Sequence, residues 1–183
     1  AGTLLCAIAI TGGNIKLQKV VPEHINTLLN KLEEMGCTIK INKNEVILNA
    51  PKKLKAVDIK TLPYPGFPTD LQSILGVTLT VAKGSSVIVE NIFENRYRYL
   101  NELTKMGAKT TIEGRTAVIK GVRRLSEANV RATDLRGGAA LVIAGLNAKG
   151  RTYIDNIEYI LRGYENLDIK LKSLGANISI IEI

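Results

Sequence analysis

The triplet Thr-Asp-Leu occurs twice, as Thr69–Leu71 in PYPGFPTDLQ and as Thr133–Leu135 in ATDLRGG, each time opening an apolar segment. An aspartate in that place has two uses. Its carboxylate can accept an orphan backbone N–H as a helix N-cap. Alternatively it can take a proton from a ligand hydroxyl, because carboxylates in special environments concentrate at sites. For Asp70 the residue types alone leave the two readings even. The stretch from Pro63 to Asp70 holds three of the chain's five prolines, so it cannot be the middle of a helix or of a central strand. For Asp134 the repetition of the pattern favours the cap. Arg136, followed by Gly137 and Gly138, leaves room for an anion at a helix N-terminus. Paired glycines also weaken that helix.

The elements that must position these residues recur three times. LLNKLEEMGCTIKI, YLNELTKMGAKTTI and NLDIKLKSLGANIS each read as an amphipathic helix closed by glycine and followed by a β-prone run. The closing glycines are Gly36, Gly107 and Gly175, 71 and 68 residues apart, and each fits a left-handed C-terminal cap. A second helix repeats with the same period. GTLLCAIAI, LQSILGVTLTVA and GGAALVIAGLNA are apolar nearly all round, the mark of helices buried on every side. After each comes a glycine (Gly13, Gly84, Gly150) and a strand rich in β-branched residues. Strands in KAVDIKT and NVRAT precede the buried helix of the second and third units, and NEVILNA and RTAVIKG supply closing strands.

The expected fold is α/β (α+β): an inside-out, barrel-like domain of three repeated units, with apolar helices inside and sheets outside. Residues 1–183 form one domain, its units spanning about 1–50, 51–121 and 122–183. The first unit has no leading strand, and the third ends on a predicted strand, NISIIEI, one strand short of the others. On that pattern the chain is expected to be a piece of a longer protein, truncated at its N-terminus and lacking a partner domain.

A chain that is 45% hydrophobic and 23% charged is globular. Its net charge of +8 invites a nucleic-acid partner, but aromatics at 4% are too few for a base-stacking platform. Small anionic ligands therefore rank above nucleic acid. No apolar run is long enough to span a bilayer and no signal peptide is visible, which predicts no membrane partner and a cytoplasmic location. Cys6 and Cys37 have no metal-ligand spacing, and two cysteines in a chain this size suit a reducing compartment. Cys6 lies in an apolar helix, and Cys37 takes the slot of Ala108 and Ala176, so both read as inert core. His24 is assigned no role, and neither metal nor cofactor is expected.

Four separated segments, PYPGFPTDLQ, VIVENIFENRYRYLNELTKMGA, ATDLRGGAALVIAGLNAKG and LRGYENLDIKLKSLGA, together resemble the UDP-N-acetylglucosamine enolpyruvyl transferases. The resemblance covers essentially the whole chain in order, and it implies two domains of the three-unit kind, of which this chain is one. It also implies a reaction: transfer of the enolpyruvyl group of phosphoenolpyruvate to the 3-hydroxyl of UDP-N-acetylglucosamine, with release of phosphate, at the start of peptidoglycan synthesis. By the same resemblance Asp70 is the general base at the sugar hydroxyl, with Asp70, Asp134 and Arg162 forming the catalytic set. Thr69, Asp70, Ile92, Arg96, Arg136 and Arg162 form the substrate-binding set, Ile92 acting through its backbone. Arginine suits phosphoenolpyruvate because its planar fork pairs with carboxylate and phosphate oxygens. The proton donor of the family is a loop cysteine of the other domain, so the chain alone is expected to be inactive. Two competing readings are transfer to shikimate 3-phosphate and an RNA-binding module of related three-unit fold.

Overall fold

In the computed structural model, which describes residues 1–181, the three apolar segments form α1 (Gly2–Thr11), α3 (Gln72–Leu79) and α5 (Leu135–Asn147). These three helices pack on one another at the centre. Every residue of α3 is buried, whereas α1 and the end of α5 keep some exposed surface. Helices α2 (Asn26–Glu34), α4 (Arg98–Lys105) and α7 (Leu167–Ser173) are the amphipathic members. Each buries one stripe, such as Leu28, Leu29 and Leu32 of α2 or Tyr99, Leu100 and Leu103 of α4.

The amphipathic helices all end the same way. At α2 the Gly36 N–H donates to the Glu33 carbonyl and the Cys37 N–H to the Leu32 carbonyl, and Gly107–Ala108 and Gly175–Ala176 repeat this. Gly36, Gly107 and Gly175 sit at φ +99°, +86° and +95°, a region that L side chains rarely adopt. This double bond is the Schellman motif, and it explains the periodic glycine.

Strands flank the helices as three separate sheets. β1 (Asn14–Gln18), β3 (Glu45–Asn49) and β2 (Thr38–Asn42) lie in that order, all antiparallel. The second sheet runs β4 (Ile59–Lys60), β5 (Ser85–Val89), β7 (Thr116–Lys120), β6 (Lys109–Glu113), with β4 parallel to β5. β8 (Asn129–Arg131) and β9 (Tyr153–Asp155) form the third, parallel pair. Alternation buries one face only, through Val46 and Leu48, Ser86 and Ile88, and Ala117 and Ile119. Helices inside and sheets outside is the predicted arrangement.

One predicted strand is not formed. Residues 177–181 of NISIIEI adopt no regular structure, and the last two residues of that segment lie outside the described ones. Among the described residues the third sheet holds β8 and β9 alone, with no hairpin strand against which the segment could complete a ladder. A short helix that the sequence reading did not anticipate, α6 (Glu158–Leu161), packs against α5 instead.

Candidate active site

Asp70 lies in a single 3-10 turn, Thr69–Leu71, that runs directly into α3. No side chain caps either helical start, so the choice left open for Asp70 falls against the cap. Its Oδ1 instead lies 2.8 Å from Arg136 Nε and 4.0 Å from Arg96 Nη2. The side chain is 57% exposed, so a ligand can reach it.

The proline-rich turn is built to hold that position. The Leu62 N–H donates to the Phe67 carbonyl at 3.0 Å and the Gly66 N–H to the Pro63 carbonyl at 2.8 Å, while Phe67 is buried as an anchor. A Cβ on Gly66 would collide with the Leu62 side chain and come within 3.0 Å of the Pro63 oxygen. The loop closes only around a glycine.

Thr69 does not cap the helix. Its hydroxyl donates to Glu90 Oε2 at 3.0 Å. Glu90, just past β5 and 1% exposed, is the residue that the sequence reading missed. Its Oε1 accepts from Thr61 Oγ1 at 2.8 Å, from the Ile92 N–H at 2.9 Å and from the Phe93 N–H at 3.1 Å. Ile92 is 39% exposed, and its committed N–H leaves the carbonyl as the backbone group able to meet a ligand. A glutamate closing the β-branched run SSVIVE was the available signal.

Arg96 follows Asn95, which takes the left-handed conformation at φ +58°. Its guanidinium stacks on the Phe93 ring 4.7 Å from the centroid, and its side chain is only 12% exposed. Among the described residues its buried Nε has no hydrogen-bond partner, and its one carboxylate neighbour is Asp70, at 4.0 Å. A buried cation so loosely compensated is primed for an anion.

Asp134 is the N-cap of α5. Its Oδ1 accepts from the Arg136 and Gly137 N–H groups, both at 2.9 Å, and the Thr133 hydroxyl donates to Oδ2 at 3.3 Å. The room expected at Gly137 and Gly138 is already taken. A Cβ on Gly137 would meet Asp134 Oδ2 at 2.9 Å and Tyr99 Cβ at 3.2 Å. One on Gly138 would meet Ile160 at 2.6 Å and Ala132 at 3.0 Å. The glycines admit α4 and α6 to the start of α5, so the anion-sized gap predicted there is absent. Arg136 reaches from α5 to the Asp70 carboxylate. This close contact raises the guanidinium pKa.

Arg162, directly after α6, is exposed and lies over the Tyr159 ring at 5.2 Å, with no ion pair among the described residues. The neighbouring Gly163 packs on Leu135 at the start of α5. The structure therefore joins Thr69, Asp70, Ile92, Arg96 and Arg136 in one cluster, and Arg162 has no bond to it. Both cysteines are buried as predicted, and burial pushes the Cys6 thiol up to about 12 and Cys37 up to about 11.

Three buried helices flanked by three sheets are an arrangement shared with solved enolpyruvyl transferases. The enolpyruvyl transferase NikO from Streptomyces tendae superposes with a TM-score of 0.87 at 27% identity, over 97% of this chain and 42% of that one. EPSP synthase from Acinetobacter baumannii, at 17% identity and a TM-score of 0.78, shares the fold. A family model described as EPSP synthase (3-phosphoshikimate 1-carboxyvinyltransferase) matches residues 1–171. The chain belongs to this enolpyruvyl transferase family. UDP-N-acetylglucosamine 1-carboxyvinyltransferase of Desulfofundulus thermocisternus is 53% identical over 97% of this chain. The protein so named in Myxococcus xanthus is 52% identical over the same share. The chain spans 73% of the first relative's length and 42% of the second's. No helix among the described residues is long and apolar enough to cross a membrane.

Proposed function

We propose that this chain forms one wall of the cleft of an enzyme that transfers the enolpyruvyl group of phosphoenolpyruvate to the 3-hydroxyl of UDP-N-acetylglucosamine. The observation that carries the reading is the exposed Asp70 carboxylate, free of any capping duty and met by Arg136 and Arg96. The curated relatives support the nucleotide-sugar acceptor over shikimate 3-phosphate, which the family model's description also names.

In this reading Asp70 accepts the proton of the sugar hydroxyl as its oxygen bonds to C2 of phosphoenolpyruvate. The C2–C3 π electrons then take a proton at C3, from an acid outside this chain's cluster. In the second half C3 gives up a proton, the double bond re-forms, and the C2–O bond to phosphate breaks, releasing inorganic phosphate. Arg136 meets Asp70 through Nε, and its planar guanidinium suits carboxylate or phosphate oxygens. Arg96, stacked on Phe93, adds a second positive charge with little reorganisation. Asp134 serves by fixing the start of α5, and so Arg136. Arg162 approaches the anion from the α6 side. A partner domain supplies the acid, and a cytoplasmic location goes with these substrates.

The test is phosphate release from phosphoenolpyruvate by the full-length protein, with UDP-N-acetylglucosamine or shikimate 3-phosphate as acceptor. Turnover with the nucleotide sugar, cut about 10²–10⁴-fold in Asp70→Asn at unchanged thermal stability, is the expected result. Turnover with shikimate 3-phosphate alone refutes the reading, as does an Asp70→Asn variant that unfolds with undiminished specific activity in its folded fraction.

A further inference from the structure

The repeat provides an internal control for Glu90. Counting six residues from the turn glycines Gly13, Gly84 and Gly150 gives Lys19, Glu90 and Asn156 at matching places after β1, β5 and β9. Lys19 and Asn156 are exposed and take the left-handed conformation, at φ +59° in both. Glu90 alone is buried. The architecture does not require a carboxylate there, and burying one is costly unless it is fully hydrogen-bonded. Glu90 makes no ion pair among the described residues. Two hydroxyls and two backbone N–H groups satisfy it. Those four donors come from three segments: Thr61 after β4, Thr69 beside Asp70, and the Ile92–Phe93 loop that also carries the ring under Arg96. Among the described residues only the unit holding Asp70 has this clamp.

We propose that Glu90 is the positioning residue of the acceptor side of the cleft, its one carboxylate holding the Asp70 turn and the Ile92–Phe93 loop at a fixed separation so that both face the same ligand. This rests on the functional reading above. Glu90 is too buried to touch substrate, and acts through Thr69 and the loop. A carboxylate accepts all four donors at once. In Glu90→Gln one terminal atom becomes a donor, and the link to Thr69 must reverse or break. In Thr69→Val the same link is deleted while the other three bonds of Glu90 remain.

The experiment measures kcat, both KM values and Tm for full-length wild type, Glu90→Gln, Thr69→Val, Thr69→Ser and the double variant Glu90→Gln/Thr69→Val. Because small misplacements near reacting groups are expensive, kcat/KM for the acceptor should fall about tenfold in Glu90→Gln and in Thr69→Val. The KM for phosphoenolpyruvate should stay within about twofold, Thr69→Ser should restore the hydroxyl link, and the double variant should be no worse than either single one. Additive losses, or losses that track Tm and strike both substrates alike, overturn the proposal. The functional reading fails separately, if wild type transfers nothing to UDP-N-acetylglucosamine. The positioning is then read from amide exchange at Ile92 and Phe93. Bonds to a neutral acceptor are weaker, so exchange should be faster in Glu90→Gln; unchanged exchange overturns the proposal.

Discussion

Replacing Asp134 with alanine removes the acceptor of two backbone N–H groups, those of Arg136 and Gly137, at the start of the longest core helix. Loss of an N-cap side chain costs about 0.5–2 kcal/mol. The upper end applies here, since the first turn contains Gly137 and Gly138, each contributing about 1 kcal/mol less to helix formation than alanine. Gly137 is also buried, so water cannot readily replace the lost acceptor. A loss of about 2 kcal/mol corresponds to a fall in Tm of roughly 4–8 °C for a domain of this size. Turnover should fall too, because fraying of this turn moves Arg136 and loosens its 2.8 Å contact with Asp70. The informative comparison is Asp134→Ser, since serine caps as well as aspartate but carries no exchangeable carboxyl proton. Thermal denaturation and phosphate-release assays on full-length wild type, Asp134→Ala and Asp134→Ser separate the two roles. If the cap is the whole contribution, serine restores both Tm and turnover. Restored Tm with turnover still lost would refute this reasoning and return Asp134 to the proton-handling set.

Two further outcomes follow from the structure. Gly66→Ala forces the Pro63–Phe67 loop open and should cost about 1–3 kcal/mol, read as a lower Tm, together with a loss of turnover through the displaced Asp70; unchanged values of both would show that the turn adapts. The alkaline limb of stability is set by buried groups. Cys6 and Tyr97 are each pushed up to about 12, Cys6 chiefly by burial and Tyr97 by burial and the nearby Glu90. The unfolded chain sheds these protons from about pH 9 upward while the folded chain keeps them. Their contribution is therefore full below about pH 9 and is lost as pH rises towards 12. Urea midpoints should be flat from about pH 7 to 8.5 and fall above that, and a midpoint that stays level to about pH 11 contradicts the assignment.

Much of the architecture was readable because its signals are local. The Schellman bonds at Gly36, Gly107 and Gly175 need only a helix and one glycine, so the period announced itself. The uniformly apolar segments likewise became α1, α3 and α5. The site was less legible because its decisive contacts are long-range. Whether Asp70 caps a helix or meets a cation depends on Arg136, which a different unit supplies. The paired glycines were misread because the space beside them is filled by Tyr99 and Ile160, from two other helices. Glu90 closes a β-branched run and drew no reading, because its meaning lies in three segments that converge only on folding. The NISIIEI run has strand-forming residues, yet propensity makes no ladder without a neighbour.

The contact between Asp70 and Arg136 ties the starts of α3 and α5, two helices that also pack against each other along the core. One helical residue advances about 1.5 Å along the axis, whereas a charged hydrogen bond tolerates only a few tenths of an ångström. The pair is thus a vernier on the core: a slide of α3 past α5 by even a fraction of one residue unlocks it while every apolar contact remains nominally buried. Variants selected for a merely adequate interior would keep the fold and lose the alignment. In this scaffold the interior fill of the core helices is part of what determines where the Asp70 carboxylate points.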